Sequence, residues 1–204
     1  MKRYRKIDEI LKEYAFSRRK SKRAFIKKTV DSRNIPGKDC GFVYSQNDPS
    51  LKGLTYGKYP VSYNGCECIA TYNALLYKGK DALLSDLLRE FEENGLIGYY
   101  IFGRHSFFPG KFGTNPNKIK RALDAYGIEY ETVKKERDLL SALSDGGYIV
   151  SFVNDSNLLH GVHTFFFTVS NGAFKVYNGY GKRDCKTYSE VRSGGKFITA
   201  YKIK

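Results

Sequence analysis

The sequence predicts an α+β fold in which a helical half packs on an antiparallel β-sheet. Two observations carry this. Apolar residues recur at helical spacing through the middle of the chain, and after "RDLLSALSDGG" the period changes to two. Asn171-Gly172 then sits between two alternating apolar runs, the strongest two-residue hairpin signal. Helices first and strands after is the order of an α+β domain.

The elements follow in chain order. Ile7, Ile10, Leu11 and Tyr14 share one stripe, so residues 4–16 read as an amphipathic helix, and "SRRKSKRAFIKKTV" continues it as a second, basic one. "NIPGKDCG" breaks the pattern with Pro and Gly, which places a boundary near Pro36. Residues 1–35 are then a basic helical arm and residues 36–204 the main domain. From Cys66 to Tyr77, the residues Ile69, Tyr72, Leu75 and Leu76 form a stripe, and Gly79 supplies the stop. "KDALLSDLLREFEENG" is a second helix of this domain, ended by Gly95. "GTNPNKIKRALDAYGI" is a third, with Thr114 or Asn115 as cap, Pro116 opening and Gly127 closing. "RDLLSALSDGG" is a short fourth. "YIVSFVN", "HTFFFTVS", "AFKVYN" and "FITAYKIK" are strands.

The hairpin fixes a register. A two-residue Asn-Gly loop pairs Ser170 with Ala173, which sets His163 opposite Tyr180 and Phe165 opposite Asn178. One face then carries His163, Phe165, Phe167, Val169, Phe174, Val176 and Asn178, and its apolar character makes it the expected core face. The other carries Thr164, Phe166, Thr168, Ser170, Lys175 and Tyr177. His163 and Asn178 are diagonal neighbours at one end, and such pairs lie roughly 7–8 Å apart. An amide on one imidazole nitrogen fixes the tautomer and leaves the other nitrogen as a base. The partner such a base needs is a nucleophile at the rim of the core face. Cys66, behind Asn64-Gly65 at the start of an apolar helix, is the candidate, with its thiolate favoured by the helix dipole and by the imidazolium.

Composition bounds the alternatives. At 204 residues, 41% hydrophobic and 15% aromatic, the chain can bury one good core. No apolar run is long enough to span a membrane, and the charged N-terminus lacks an apolar signal region, so a cytoplasmic protein is expected. The four cysteines, Cys40, Cys66, Cys68 and Cys185, are expected to be mostly free thiols. Cys68 lies deeper in the helix stripe and reads as core. Cys66 and Cys68 with His160 and His163 lack the standard zinc spacings, so no metal is expected. His160 is a fallback base in a loop, and His105 reads as a surface-loop residue. The formal charge is +14, concentrated at the start, where Asp8, Glu9 and Glu13 alone oppose the bases from Lys2 to Lys28. That arm suits nucleic acid or an acidic partner, although no nucleic-acid-binding signature accompanies it.

"NGCECIATYNAL", "GVHTFFF" and "FKVYN" together resemble the nucleophile helix, base strand and orienting residue of papain-like cysteine peptidases, and most closely the bacterial double-glycine-leader (bacteriocin-processing) peptidases and their free-standing relatives. The resemblance spans about Tyr59 to Tyr180. It implies a papain-like fold, Cys66 as nucleophile, His163 as general base and Asn178 as orienter, with no cofactor. It also implies a peptide or protein substrate with small residues before the scissile bond. Two positions depart from the family. Glu67 stands where Gly is common, and a carboxylate there tends to raise the pKa of the nucleophile. Pro60 stands where a Gln donates to the oxyanion, and Asn64 with the Cys66 backbone N–H is expected to take that part. The expected reaction is hydrolysis of a peptide or amide bond through a thioester on Cys66. Two rival readings remain: an amidase or acyltransferase on the same triad, and a catalytically silent binding module that works through the basic arm.

Overall fold

The computed structural model describes residues 41–57, 59–93, 114–154, 161–192 and 195–204. The basic arm, Cys40, His105 and His160 lie outside the described residues. The fold is α+β, as the change of period requires. Six strands form one antiparallel sheet in the order β3-β8-β4-β5-β6-β7: β3 Tyr130–Val133, β4 Gly146–Val153, β5 Val162–Ser170, β6 Ala173–Gly179, β7 Lys182–Cys185 and β8 Phe197–Ile203. A two-residue hairpin, β1 (Thr55–Tyr56) and β2 (Tyr59–Pro60), precedes two helical pieces, α1 (Val61–Asn64) and α2 (Cys66–Tyr77). Helices α3 (Leu84–Glu93), α4 (Ile119–Ala125), α5 (Glu136–Ala142) and α6 (Tyr188–Val191) complete the described α-helices. No described helix is long and apolar enough to cross a membrane.

The β5–β6 hairpin has the register that Asn171-Gly172 specifies. Ser170 pairs with Ala173 and Phe166 with Tyr177, and Asn171 and Gly172 take φ of 51° and 77°, as a type I′ turn requires. Asn115, of the two expected caps, accepts from the Asn117 N–H at 3.0 Å, ahead of a 3₁₀ turn at Pro116–Lys118 that leads into α4. The Thr114 hydroxyl is instead bonded to the Tyr56 hydroxyl.

One expectation is corrected. Both faces of the sheet are core faces. Phe165, Phe167 and Val176 pack with Tyr148, Val150 and Phe152, beneath Leu139 of α5 and Tyr188 and Val191 of α6. Phe166 and Tyr177 pack with Ile149 and Tyr201 beneath Ile69, Tyr72 and Leu75 of α2 and the apolar faces of α3 and α4. The face not expected to be core is therefore the one that receives the Cys66 helix. Full cover on both sides is why "YIVSFV" and "FFF" are near-continuous apolar runs. The polar residues interleaved there satisfy each other: Ser151 and Thr164, paired across β4 and β5, share a 2.8 Å hydroxyl contact.

Candidate active site

Cys66 is placed by the join between α1 and α2. Gly65 links them at φ −89° and ψ 8°, close to helical, so Asn64-Gly65 is a helix-to-helix joint rather than a reversing turn. Its glycine is required by proximity: a Cβ there would lie 2.6 Å from Val61 Cγ1 and 2.8 Å from the Val61 carbonyl oxygen. The Gly65 N–H donates to that carbonyl at 2.9 Å, and the Asn64 side-chain amide donates to the Tyr56 carbonyl at 2.9 Å. Asn64 thus ties the joint to the β1–β2 hairpin. Its expected oxyanion role would rest on the remaining amide hydrogen, because this one is committed.

At the first residue of α2, the Cys66 thiol is buried at 6% exposure. It donates to Glu67 Oε2 at 3.2 Å and lies 3.7 Å from the Val162 carbonyl oxygen. Cys66 therefore meets the backbone at the start of β5, one residue from His163. The two approach that rim from opposite faces of the sheet: α2 lies on the Phe166 face, whereas the His163 ring stacks toward Phe165 at 5.8 Å between centroids. His163 is not among the hydrogen-bond partners of the thiol.

The orienting contact differs from the expected one in its atom. His163 Nε2 lies 2.7 Å from the backbone oxygen of Asn178. A carbonyl only accepts, so Nε2 carries the hydrogen and Nδ1 keeps its lone pair. The Asn178 side chain points elsewhere: its Oδ1 accepts from the Gln46 N–H at 2.8 Å, and its amide donates to Gln46 Oε1 at 3.3 Å. The cause is local. Asn178 has φ of 62°, which turns the strand end over, and its own N–H donates to the Tyr44 carbonyl at 3.1 Å.

Residues 43–46 form a strap that no pattern in the sequence announces. Asn73 of α2 bonds both backbone groups of Val43 at 2.9 Å, and the Gln46 side chain donates to the Ser62 carbonyl at 2.6 Å. The strap joins the Cys66 helix to the residue that holds His163. Tyr180 is the other residue not assigned a part. Its ring stacks on the imidazole at 4.0 Å between centroids, and its hydroxyl donates to Asn154 Oδ1 at 2.8 Å. The hairpin register already sets Tyr180 opposite His163, so that signal was legible.

Electrostatics keep the thiol and the imidazole neutral. Burial pushes the Cys66 thiol well above its ordinary range, and Glu67 adds to it. Burial lowers His163 to about 4, against the opposing pull of the Asn178 carbonyl. A preformed thiolate–imidazolium pair is therefore not the resting state. Burial raises Glu67 to about 7, partly offset by its hydrogen bonds. Cys68 is fully buried beside Tyr56 with its thiol pushed up, consistent with a core role. Among the described residues, no group of three or more His, Cys, Asp or Glu could hold a metal ion. The chain matches no protein-family model and no curated protein.

Proposed function

We propose that this chain is a papain-like cysteine hydrolase that cleaves a peptide or amide bond by acyl transfer to Cys66. His163 supplies acid–base chemistry, and Asn178 holds the imidazole. The observation that carries the reading is the shared rim: a thiol at the first residue of a 12-residue helix lies 3.7 Å from the Val162 carbonyl oxygen, and the next residue of β5, His163, carries an imidazole with its Nε2–H fixed. Attack by sulfur gives a thioester, which water hydrolyses. No cofactor is required by this chemistry, and the substrate is a peptide or protein.

The test is cleavage of a synthetic peptide mixture that includes Gly-Gly junctions, with new N-termini read by mass spectrometry. Cleavage is expected to vanish in Cys66→Ala and to fall at least about 100-fold in His163→Ala. Cleavage unchanged in Cys66→Ala overturns the reading. Release of ammonia from side-chain amides without new N-termini would make the chain an amidase on the same residues.

One observation favours a second reading, a catalytically silent module. The Cys66 thiol is hydrogen-bonded to a carboxylate rather than to the imidazole. An intact peptide mixture, together with a Cys66 that resists alkylation from pH 5 to pH 9, would establish it. The basic arm would then be the working surface, for nucleic acid or an acidic partner.

A further inference from the structure

The buried carboxylate of Glu67 has no part in a Cys-His-Asn scheme, yet among the described residues it is the side chain that the Cys66 sulfur meets within hydrogen-bond distance. We infer that Glu67 is a catalytic residue, the base that takes the Cys66 proton, leaving His163 to serve the attacking water. This rests on the hydrolase reading above and refines it.

Geometry carries the inference. Glu67 Oε2 lies 3.2 Å from Cys66 Sγ, and the side chain is 1% exposed. The carboxylate is aimed from its far side: Thr164 of β5 donates weakly to Oε1 at 3.5 Å, and Ser151 of β4 backs that hydroxyl at 2.8 Å. Proton affinity agrees. Burial raises Glu67 to about 7, and a useful base titrates close to the working pH. Among the described residues, the titratable groups that feel the Glu67 charge include Cys66 and Cys68 on its own helix, Tyr56 of β1 and Tyr180 after β6.

The cycle balances. Oε2 takes the thiol proton as the sulfur lone pair bonds to the substrate carbonyl carbon and the C=O pair moves to oxygen. On collapse the C–N bond breaks, its electron pair leaves on nitrogen, and that nitrogen takes the proton back from Glu67. A thioester remains. His163 Nδ1 then takes a proton from water as the water oxygen bonds to the acyl carbon. The C–S bond breaks with its pair on sulfur, which takes the proton from the imidazolium. Cys66 thiol, Glu67 carboxylate and neutral His163 are restored.

The experiment is iodoacetamide labelling of the intact chain from pH 5 to pH 10, with Cys66 quantified by mass spectrometry, in wild type, Glu67→Gln, Glu67→Asp and Thr164→Val. If Glu67 is the base, the wild-type rate rises through its ionisation near pH 7. Glu67→Gln loses that limb and labels at least about ten-fold more slowly at pH 8, while Glu67→Asp retains a limb. Thr164→Val, with one donor to the carboxylate removed, moves the limb to higher pH. If Glu67 acts only by its charge, Glu67→Gln labels faster than wild type, and the inference is overturned while the hydrolase reading stands. Should Glu67→Gln fail to fold, a wild-type profile without a rise near pH 7, or a Thr164→Val limb that does not move, overturns it equally. Loss of peptide cleavage in Cys66→Ala, measured separately, tests the hydrolase reading without reference to Glu67.

Discussion

Asn178 acts on His163 through its backbone, and this decides what its substitutions do. Asn178→Gly keeps the carbonyl and suits φ of 62°, so the imidazole contact survives. Both Asn178→Gly and Asn178→Ala lose the two Gln46 bonds, and Asn178→Ala, which keeps the carbonyl too, also strains the left-handed backbone. It is expected to destabilise the fold by about 1–2 kcal/mol, measured by urea unfolding. If the side-chain amide held the ring instead, the two variants would lose peptide cleavage alike. The sequence made His163, Asn178 and Cys66 legible because the hairpin register and the helix start are local patterns. It did not make the atom legible: a positive φ at Asn178 arises where the strand meets Tyr44, a contact between residues 134 positions apart in sequence. Glu67 was legible as a perturber of the thiol, but only the fold shows Thr164 and Ser151 closing behind it.

The seating of α2 on the sheet depends on Gly147 of β4. A Cβ there would lie 2.8 Å from Phe166 Cζ and 2.9 Å from Tyr77 Cδ1, so the bare backbone lets the last residue of the helix lie against the strand. Gly147→Ala is expected to cost about 1–3 kcal/mol through overpacking. The urea midpoint should fall while the slope stays constant, since the surface exposed on unfolding is unchanged. A midpoint equal to wild type would mean that Tyr77 yields without cost. Elements with strong periodicity were readable: α2, α3, α5, the β5–β6 hairpin and β8 fall where the patterns place them. β3 and β7 were not, because "YETV" and "KRDC" are four-residue edge strands whose charges hide alternation. The second core face went unread for a similar reason. Thr164 and Thr168 break the apolar run on that face, yet Thr164 is buried with its hydroxyl satisfied by Ser151.

Across the whole molecule, two buried groups bias stability with pH in opposite directions. His163 falls from 6.5 to about 4 on folding, so its contribution is full above pH 6.5 and is lost as the pH drops toward 4. Glu67 rises from 4.5 to about 7, so its contribution is full below pH 4.5 and is lost as the pH climbs through 7. Each amounts to something on the order of 3 kcal/mol, and between pH 4.5 and 6.5 they largely cancel. Relative to wild type, Glu67→Gln should therefore gain thermal stability as pH rises through this range, and His163→Gln should lose it. Parallel melting curves for all three proteins would contradict the opposed titrations. The sheet order has its own outcome during synthesis. β8, residues 197–203, lies between β3 and β4, and Tyr130 pairs with Ile203. While a nascent chain has yet to emerge from the ribosome through residue 203, β4 keeps one bare edge of Tyr, Ile, Val and Phe, and the sheet that carries the His163 rim stays open. A chaperone that shields unpaired strands would be needed in that interval, and translation halted before residue 197 should yield an aggregating, site-less product.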